Sequence, residues 1–484
     1  MKVYGAFFSL FLLANLCFPA ASRQEPEKGK IIERVACRED PEKSYALYLP
    51  SGYTAEKRWP VLYALDPGAR GRIPVELFCA GAEKYGYILA GSNDSRNGPW
   101  QDIIQSIIVL WNDTKDRFSI DKNRVYVTGF SGGSRGASIF ARIIMHPVAG
   151  IIGCGAGLAN SLIKPEQIKP VYYLGIVGIT DFNFREMMRL RDQLAKEDIS
   201  HRFLVHPGGH EWPPQELCLR ALEWMEVIAI QNALRPMDKE LIDRIFEKEG
   251  EIARTMEAEG DLVEAVSLYR TLVENFDGCQ DTSPLRTRME AIQKNEMYLE
   301  QLLNETRIKE REIAYLRKFG QVYARIEKGP PPVDEVEKTV SDLGLNDLIE
   351  TTKTDKRDKE YALAVRLLDG LELDAGSKGW NFFQKGELVK AIFFLEIAAN
   401  GGGENSAYKK SVYYNLACAY ARIQHTDKAL KNLRSAVAHG YDDIRHLEED
   451  EDLSSIRGTE EYRNILKTLK SQHRRNFPLF FSLR

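Results

Sequence analysis

The chain has 484 residues, which is more than one hydrophobic core usually supports, so two or three domains are expected. Its 66 basic and 70 acidic side chains nearly balance and give a formal net charge of -4. Because no Lys/Arg block is interleaved with aromatic residues, we expect no nucleic-acid partner.

Residues 1–22 have the pattern of a cleavable secretory signal. Lys2 precedes an apolar run over residues 6–18, and small residues follow it. This run is too short to cross a bilayer core of about 30 Å comfortably, so we expect no stable membrane span. The cysteines after it are scattered and lack zinc-like spacing, so we expect core residues and no metal site. The prediction is an exported protein, either periplasmic or secreted.

Residues 30–235 alternate short β-rich apolar runs with amphipathic segments such as 103–117 and 183–196. Strands and helices that alternate at this spacing predict βαβ units and a mostly parallel sheet, hence an α/β domain. The predicted strands are 45–49, 61–65, 87–90, 124–128, 150–153, 171–176 and 202–206.

After Pro236 the strand signals stop, and the sequence is charged and helical throughout. Three segments share one template: GDLVEA at 260–265, GELVKA at 386–391 and QHTDKA at 424–429. The first residue of each segment, 260, 386 or 424, is the turn position between two helices. Small or apolar residues recur seven positions before it and twelve positions after it, as closely packed helix pairs require. These residues are Ala253, Gly379 and Ala417 before the turns, and Leu272, Ala398 and Ala436 after them.

This pattern resembles tetratricopeptide repeats, and it predicts three parts for the second half. Residues 236–328 hold one repeat-like unit and a long charged helix that starts at Ser283 and Pro284. The break KGPPPVDE marks a linker over 329–355, and 356–472 hold the other repeats. Because repeat arrays are interaction surfaces, we expect a possible protein partner for this half.

The segment RVYVTGFSGGSRGASIF, residues 124–140, is the strongest candidate for chemistry. A strand enters the Gly-Phe-Ser-Gly-Gly turn and a helix rich in small residues leaves it. A nucleophile on such a sharp turn is strained, and flanking side chains would clash, so Gly129 and Gly133 would serve as spacers. We therefore predict Ser131 as a nucleophile, against the alternative of a flexible turn.

A serine hydroxyl needs a base, and four histidines lie in this domain: His146, His201, His206 and His210. His210 follows the last strand in the glycine-rich loop HPGGHEWPP and is favoured, with His206 as the alternative. Asp181 in GITDFNF lies on the loop after an intervening strand and would orient the imidazole. It could also cap the helix that follows. The order Ser131, Asp181, His210 is that of the α/β-hydrolase fold.

Two backbone N–H groups are needed to stabilise an oxyanion. We predict that Gly132 supplies one, while Gly68 or Ala69 in the loop DPGARG supplies the other. Trp100 and Trp212 are candidates for lining the substrate pocket, and the alternative is that both are core aromatic residues.

Residues 40–230 resemble the poly(3-hydroxybutyrate) depolymerase and feruloyl esterase group of α/β-hydrolases. The resemblance rests on RVYVTGFSGGSRGA, GITDFNF and PGGHEWPP. It implies that Ser131 attacks an ester carbonyl, that His210 acts as base and then acid, and that Asp181 fixes its tautomer. It also implies no metal and no organic cofactor. The segment ARGRIPVE departs from the family's usual turn, so the second oxyanion donor is left open.

Two functions fit these patterns. The first is an exported serine hydrolase that cleaves a small carboxylic ester, with the helical half contacting a protein or shaping access to the site. The alternative is a binding protein whose hydrolase-like domain is catalytically idle. The complete Ser131, Asp181 and His210 set favours the enzyme, because an idle site would tolerate the loss of any member.

Overall fold

The computed structural model describes residues 26–476, except residues 145, 330, 332–334, 404, 405 and 407, and side chains through residue 471. The predicted signal, residues 1–22, therefore lies outside the described residues. Within the described part of the chain, no helix is both long and apolar enough to cross a membrane.

The first half forms one eight-stranded sheet in the order β1-β2-β4-β3-β5-β6-β7-β8. β1 and β2 pair antiparallel, β2 pairs antiparallel with β4, and every other pair is parallel. The predicted α/β class is thus confirmed, and the strand order is that of an α/β-hydrolase sheet. The strands are β1 (Ile31–Ala36), β2 (Ser44–Tyr48), β3 (Trp59–Leu65), β4 (Ile88–Ser92), β5 (Ile120–Phe130), β6 (Gly150–Cys154), β7 (Tyr172–Gly178) and β8 (His201–His206).

Helices cover both faces of this sheet. Side chains alternate along a strand, so Leu62 packs in one hydrophobic cluster while Val61 and Tyr63 pack in the other. The central parallel strands therefore read as apolar runs that are buried on both faces, whereas β8 at the edge of the sheet alternates buried and partly exposed residues. The helices are α1 (Arg72–Tyr85), α2 (Trp100–Arg117), α3 (Gly132–Ile143), α4 (Phe184–Lys196) and α5 (Gln215–Gln231).

The rest of the described chain is helical. Three antiparallel pairs, α6 with α7, α12 with α13 and α14 with α15, contain the three template segments. The residue at each turn position has a positive φ, 87° at Gly260, 76° at Gly386 and 60° at Gln424. The helices are α6 (Lys239–Ala258), α7 (Leu262–Phe276), α8 (Ser283–Gln293), α9 (Glu296–Lys328), α10 (Glu335–Asp342), α11 (Leu345–Thr351), α12 (Lys359–Gln384), α13 (Leu388–Asn400), α14 (Lys409–Arg422), α15 (Thr426–Ala438), α16 (Ile444–Glu449), α17 (Ser454–Arg457) and α18 (Glu460–Asn476).

The small residues of the template lie where paired helices cross. A Cβ at Gly379 of α12 would come within 2.6 Å of Leu395 Cγ on α13. Ala417 and Ala436, on α14 and α15, are fully buried. The spacing therefore reports close helix packing, which is the physical basis of the repeat pattern.

Two predicted segments of the helical half differ from the structure. The charged run that starts at Ser283 breaks at Asn295, whose side chain accepts the N–H of Met297 and caps a new helix, α9. The prediction of a linker over 329–355 is corrected, since α10 and α11 form there and Leu345 is fully buried. Its buried leucines pack against the core of the helical half.

A buried ionic cluster joins α6 to the sheet domain. Glu249 of α6 is fully buried and accepts hydrogen bonds from Arg202 of β8 at 2.7 Å and from Arg220 of α5 at 2.6 Å. The guanidinium carbon of Arg202 lies 3.7 Å from the ring centroid of Trp224. Burial alone would raise the pKa of Glu249, but the two arginine charges outweigh it and lower that pKa to about 2. The first helix of the second half is thus anchored in the core of the sheet domain.

Replacing Glu249 by glutamine is expected to lower the free energy of unfolding at pH 7 by about 3 kcal/mol. Because the folded-state pKa lies below the unfolded value, this stabilisation is present above about pH 4.5 and is lost as the pH falls toward 2. Urea unfolding at pH 7 and pH 3 measures it. The control Glu247→Gln changes an exposed carboxylate on the same helix and should shift stability by under about 0.5 kcal/mol. Equal losses of unfolding free energy in the two variants would contradict the stabilising role of the buried Glu249 carboxylate.

Candidate active site

The turn between β5 and α3 holds Ser131 in a strained backbone conformation. Its φ is 52° and its ψ is -120°, which a residue with a side chain rarely adopts. The N–H of Ser131 donates to the carbonyl of Cys154 at the end of β6, at 2.8 Å. The hydroxyl is thereby placed at the carboxyl end of the sheet, the edge at which α/β proteins bind ligands.

Two glycines make this turn possible. A Cβ at Gly129 would lie 2.1 Å from the carbonyl oxygen of Gly133, and a Cβ at Gly133 would lie 2.0 Å from the carbonyl oxygen of Leu65. Both contacts are to backbone, which cannot rotate away. The structure therefore gives both glycines the spacer role that the sequence predicts.

The three predicted triad residues lie in one hydrogen-bonded chain. His210 Nε2 lies 2.9 Å from Ser131 Oγ, and His210 Nδ1 lies 2.9 Å and 3.0 Å from the two carboxylate oxygens of Asp181. Asp181 is almost fully buried, and its Oδ1 accepts the N–H of Asn183 at 2.8 Å. The N-cap position of α4 belongs to Asn183, so Asp181 holds the imidazole rather than capping that helix.

The surroundings of the imidazole are apolar on two sides. The rings of Phe130 and Phe182 lie 4.7 Å and 4.1 Å from the His210 ring, between centroids. Burial raises the pKa of Asp181, and its hydrogen bond to His210 acts in the opposite direction. A buried carboxylate against one ring nitrogen favours the tautomer in which the other nitrogen can accept the serine proton.

The other histidines of the domain are engaged elsewhere. The ring of His201 contacts the carbonyl of Ile199 at 2.7 Å, and that of His146 contacts the carbonyl of Pro147 at 3.1 Å. His206 ends β8 in a buried position, and this burial lowers its pKa. Of the four histidines, His210 is the one that the structure brings to Ser131.

The loop after β3 does not offer the predicted second oxyanion donor. The N–H of Gly68 donates to Asp66 Oδ1 at 2.8 Å, and the N–H of Ala69 donates to the Asp66 carbonyl at 3.0 Å. Arg70 Nε also bonds Asp66 Oδ1, at 2.8 Å. The prediction of Gly68 or Ala69 is therefore corrected for this conformation, because Asp66 folds back and takes both N–H groups. Gly132 opens α3, where the first N–H groups of a helix have no intrahelical acceptor.

Asn97 is a site residue that the sequence reasoning missed. A Cβ at Gly132 would lie 1.8 Å from Asn97 Oδ1, so this exposed side chain lies directly against the residue that follows Ser131. The N–H of Asn97 donates to the carbonyl of Pro67 at 2.8 Å, which fixes its loop to the loop after β3. An amide can turn to present either its oxygen or its NH₂ group, so Asn97 can serve as a donor to a bound oxygen.

The two predicted pocket tryptophans lie in different places. Trp212 Nε1 donates to Asp66 Oδ2 at 2.8 Å, and its ring lies 5.6 Å from the ring of Phe130, which itself contacts His210. The ring of Phe130 therefore links Trp212 to His210. Trp100 begins α2 and packs against the hydrophobic cluster on one face of the sheet, as a core aromatic residue would.

One group of metal-ligand residue types occurs in the described part of the helical half. Cys418, Asp450 and Asp452 place one ligand atom each within 4.8 Å of one another. The thiol of Cys418 and the hydroxyl of Tyr414 donate to Asp450 Oδ2, at 3.6 Å and 2.6 Å. These hydrogen bonds account for the cluster within the helix packing. The absence of a metal or cofactor from the reaction stays a prediction.

Comparisons with known proteins give partial likenesses. No family model matches the chain. It is 28% identical over 91 residues to a chloroplastic protein from Arabidopsis thaliana. That match covers 19% of this chain and 27% of the relative, so the chain spans about a quarter of the length of the curated relative.

Among solved structures, the chain is similar to the S-formylglutathione hydrolase FrmB from Staphylococcus aureus, with 15% identity and a TM-score of 0.33, over 41% of this chain and 98% of that one. It is similar to a ferulic acid esterase from Anaeromyces mucronatus, with 18% identity and a TM-score of 0.31, over 41% of this chain and 89% of that one. It is also similar to esterase B from Lactobacillus rhamnosis, with 15% identity and a TM-score of 0.35, over 42% of this chain and 86% of that one. At these values the likeness assigns no activity, so we base the function on the geometry of the site.

Proposed function

We propose that this chain is a serine hydrolase that cleaves carboxylic esters through an acyl-enzyme. The observation that carries the proposal is the continuous chain from Ser131 Oγ to His210 to the buried Asp181 carboxylate. A serine on a strained turn, bonded to an imidazole that a carboxylate orients, is the arrangement that activates a hydroxyl for acyl transfer.

In the first half of the reaction, Ser131 Oγ attacks the ester carbonyl carbon while His210 Nε2 accepts the hydroxyl proton. The new C–O bond gives a tetrahedral intermediate that carries its negative charge on the former carbonyl oxygen. His210, now an imidazolium ion stabilised by Asp181, donates its proton to the alcohol oxygen. The C–O bond to the alcohol breaks, and the acyl group stays on Ser131.

In the second half, a water molecule takes the place of the alcohol. His210 accepts a proton from this water as the water oxygen bonds to the acyl carbon. The bond between the acyl carbon and Ser131 Oγ then breaks as His210 returns the proton to Oγ. The acid product leaves and the site returns to its starting state. No redox step or added cofactor is needed for the atoms and charges to balance.

For the oxyanion we assign the backbone N–H of Gly132 and the side-chain amide of Asn97. Gly132 follows Ser131 in the chain and the Asn97 amide lies against Gly132, whereas the N–H groups of Gly68 and Ala69 already have acceptors. Each donor aimed at the developing charge typically lowers the barrier by about 3 kcal/mol. The ring of Phe130 against the imidazole, with Trp212 packed on Phe130, favours a small ester with an apolar acyl or aryl part.

Hydrolysis of p-nitrophenyl acetate and butyrate by the purified full chain tests this function. We expect saturable release of p-nitrophenol, with little release of p-nitroaniline from p-nitroacetanilide, because an amide is a much less reactive acyl donor. The same protein after heat denaturation is the control. Equal rates for native and denatured protein on both esters would contradict the proposal.

We also propose that residues 1–22 direct export and are removed. The N-terminal residue of the protein isolated from its producing cells tests this, and a chain that still begins at the first methionine of the sequence would contradict it.

For the helical half we propose protein binding as an additional role. Supporting this, Leu299, Leu302 and Leu303 form an exposed apolar stripe on α9.

A further inference from the structure

The helix α12 lies across the loop that carries Asp181. Arg366 Nη1 donates to the carbonyl of Ile179 at 2.7 Å, although the two residues are 187 positions apart in the chain. One turn later on the same helix face, a Cβ at Gly370 would lie 3.5 Å from the Cβ of Phe182. Two neighbouring positions of α12 thus contact residues on either side of Asp181.

The guanidinium of Arg366 is itself held in place. Only 5% of Arg366 is exposed, and its Nε and Nη2 atoms each lie 3.3 Å from an oxygen of Glu312 on α9. Its guanidinium carbon lies 4.6 Å from the ring centroid of Phe184, the first residue of α4. A buried, paired and ring-stacked arginine has little rotational freedom, so it defines the position of the carbonyl that it bonds.

The loop that Arg366 contacts is short and carries the carboxylate that orients the proposed base, His210. Residues 179–183 connect β7 to α4, with Asp181 in the middle. On the sheet side, Ile179 N–H donates to the carbonyl of His206 at 2.8 Å. The ring of Phe182 lies 4.1 Å from the ring of His210. A displacement of this loop would therefore move both the carboxylate and one wall of the imidazole site.

The pKa of Asp369, also on α12, supports this proximity. Burial raises it to about 6, and the negative charge of Asp181 adds to the rise. The helical half therefore contacts the sheet domain at the loop that carries Asp181 as well as at Glu249.

We propose that Arg366 is a positioning residue of the triad, which holds the loop 179–183 so that Asp181 stays in hydrogen-bond range of His210. This proposal rests on the proposed serine hydrolase function. Because a misplacement of about 1 Å near a reacting group can lower a rate by about 10²-fold, the helical half is part of what makes the hydrolase active.

The kinetic test compares Arg366→Ala, Arg366→Lys and Arg124→Ala on p-nitrophenyl butyrate. We expect Arg366→Ala to lower kcat by roughly 10- to 100-fold with KM changed less than about twofold, since orientation of the base acts on the transition state. Lysine can still donate to the Ile179 carbonyl, so Arg366→Lys should recover at least part of kcat. An unchanged kcat in Arg366→Ala, or no recovery with lysine, would overturn the proposal.

Arg124 is the matched control because it is also buried and paired, with Glu226. It lies on β5 seven residues before Ser131, about 23 Å away along the strand, and does not contact the loop 179–183. Its loss should lower stability while leaving kcat per folded molecule unchanged. A fall in kcat equal to that of Arg366→Ala would mean that general destabilisation explains both, and would overturn the proposal.

If Arg366→Ala does not fold, Gly370→Val tests the packing of α12 on the same loop without removing a buried charge. Its added methyl groups would press on Phe182, so kcat should fall. The control Gly376→Val makes the same change on the same helix, where the nearest side chain is Val412 of α14 at 3.6 Å. Equal kcat values in the two valine variants would overturn the proposal.

Hydrogen–deuterium exchange separates this proposal from the proposed function. It needs no activity, so it applies even to a chain that hydrolyses no ester. We expect faster exchange in peptides that span residues 179–184 in Arg366→Ala, and no change there in Arg124→Ala. Wild-type exchange at this loop in Arg366→Ala would overturn the positioning role, whereas a lack of ester hydrolysis by the wild type would overturn only the function.

Discussion

Replacing Ser131 by alanine is expected to lower the turnover of p-nitrophenyl esters by roughly 10⁴- to 10⁶-fold, and replacing His210 by alanine is expected to do the same. The two residues act as one unit, because the serine is a poor nucleophile until the imidazole accepts its proton across the 2.9 Å contact. The double variant should therefore be little worse than either single one. Steady-state kinetics on equal amounts of folded protein measure these rates.

Two matched variants serve as controls for this pair. Ser106→Ala removes a buried hydroxyl that bonds the Asp102 carbonyl within α2 rather than a member of the triad. His206→Ala removes the histidine that the sequence leaves as an alternative base. Both should keep most of the activity. If His206→Ala were inactive and His210→Ala active, the assignment of the base would be wrong.

Replacing Asp181 by asparagine is expected to lower kcat by about 10⁴-fold with only a small change in KM. Asparagine has nearly the same shape, but its NH₂ group can donate to His210 Nδ1. The proton of the imidazole would then lie on Nε2, where it blocks acceptance of the Ser131 proton. The loss therefore arises from the wrong tautomer rather than from a cavity. The same kinetic assay measures it.

The variant Asp116→Asn is the control for this substitution. Asp116 is exposed in the same domain and pairs with its neighbour Lys115 at 2.7 Å. An exposed pair of this kind contributes little, so activity and stability should both stay close to the wild type. If Asp181→Asn kept more than about a tenth of the wild-type kcat, Asp181 would not be the residue that orients the base.

The sheet was largely predictable because its central strands are buried on both faces, which requires nearly continuous hydrophobic sequence. The seven predicted runs correspond to β2 through β8, and β8, which alternates buried and partly exposed residues, shows the other strand pattern. β1 was missed because only Val35 of its six residues is buried, as suits an edge strand with little apolar pattern. Likewise, the helices α10 and α11 lie in a segment whose proline run indicated a linker.

The triad was predictable because its members follow from local sequence and chain order. Asp66 and Asn97 were not, because their roles depend on how three loops meet at the end of the sheet. Asp66 binds two N–H groups of its own loop, which no spacing rule reveals. The contact between Arg366 and Ile179 joins residues that are 187 positions apart, and only the packed helices bring them together.

Labelling with a fluorophosphonate tests the central claim most directly, because the oxygen of an activated serine bonds to the phosphorus of the probe as fluoride leaves that phosphorus. Peptide mass spectrometry then locates the modified residue. We predict a single adduct, on the peptide that contains Ser131, and its loss in His210→Ala. An adduct on another serine, or no adduct on the folded wild-type chain, would contradict the claim that Ser131 is a nucleophile activated by His210 and Asp181.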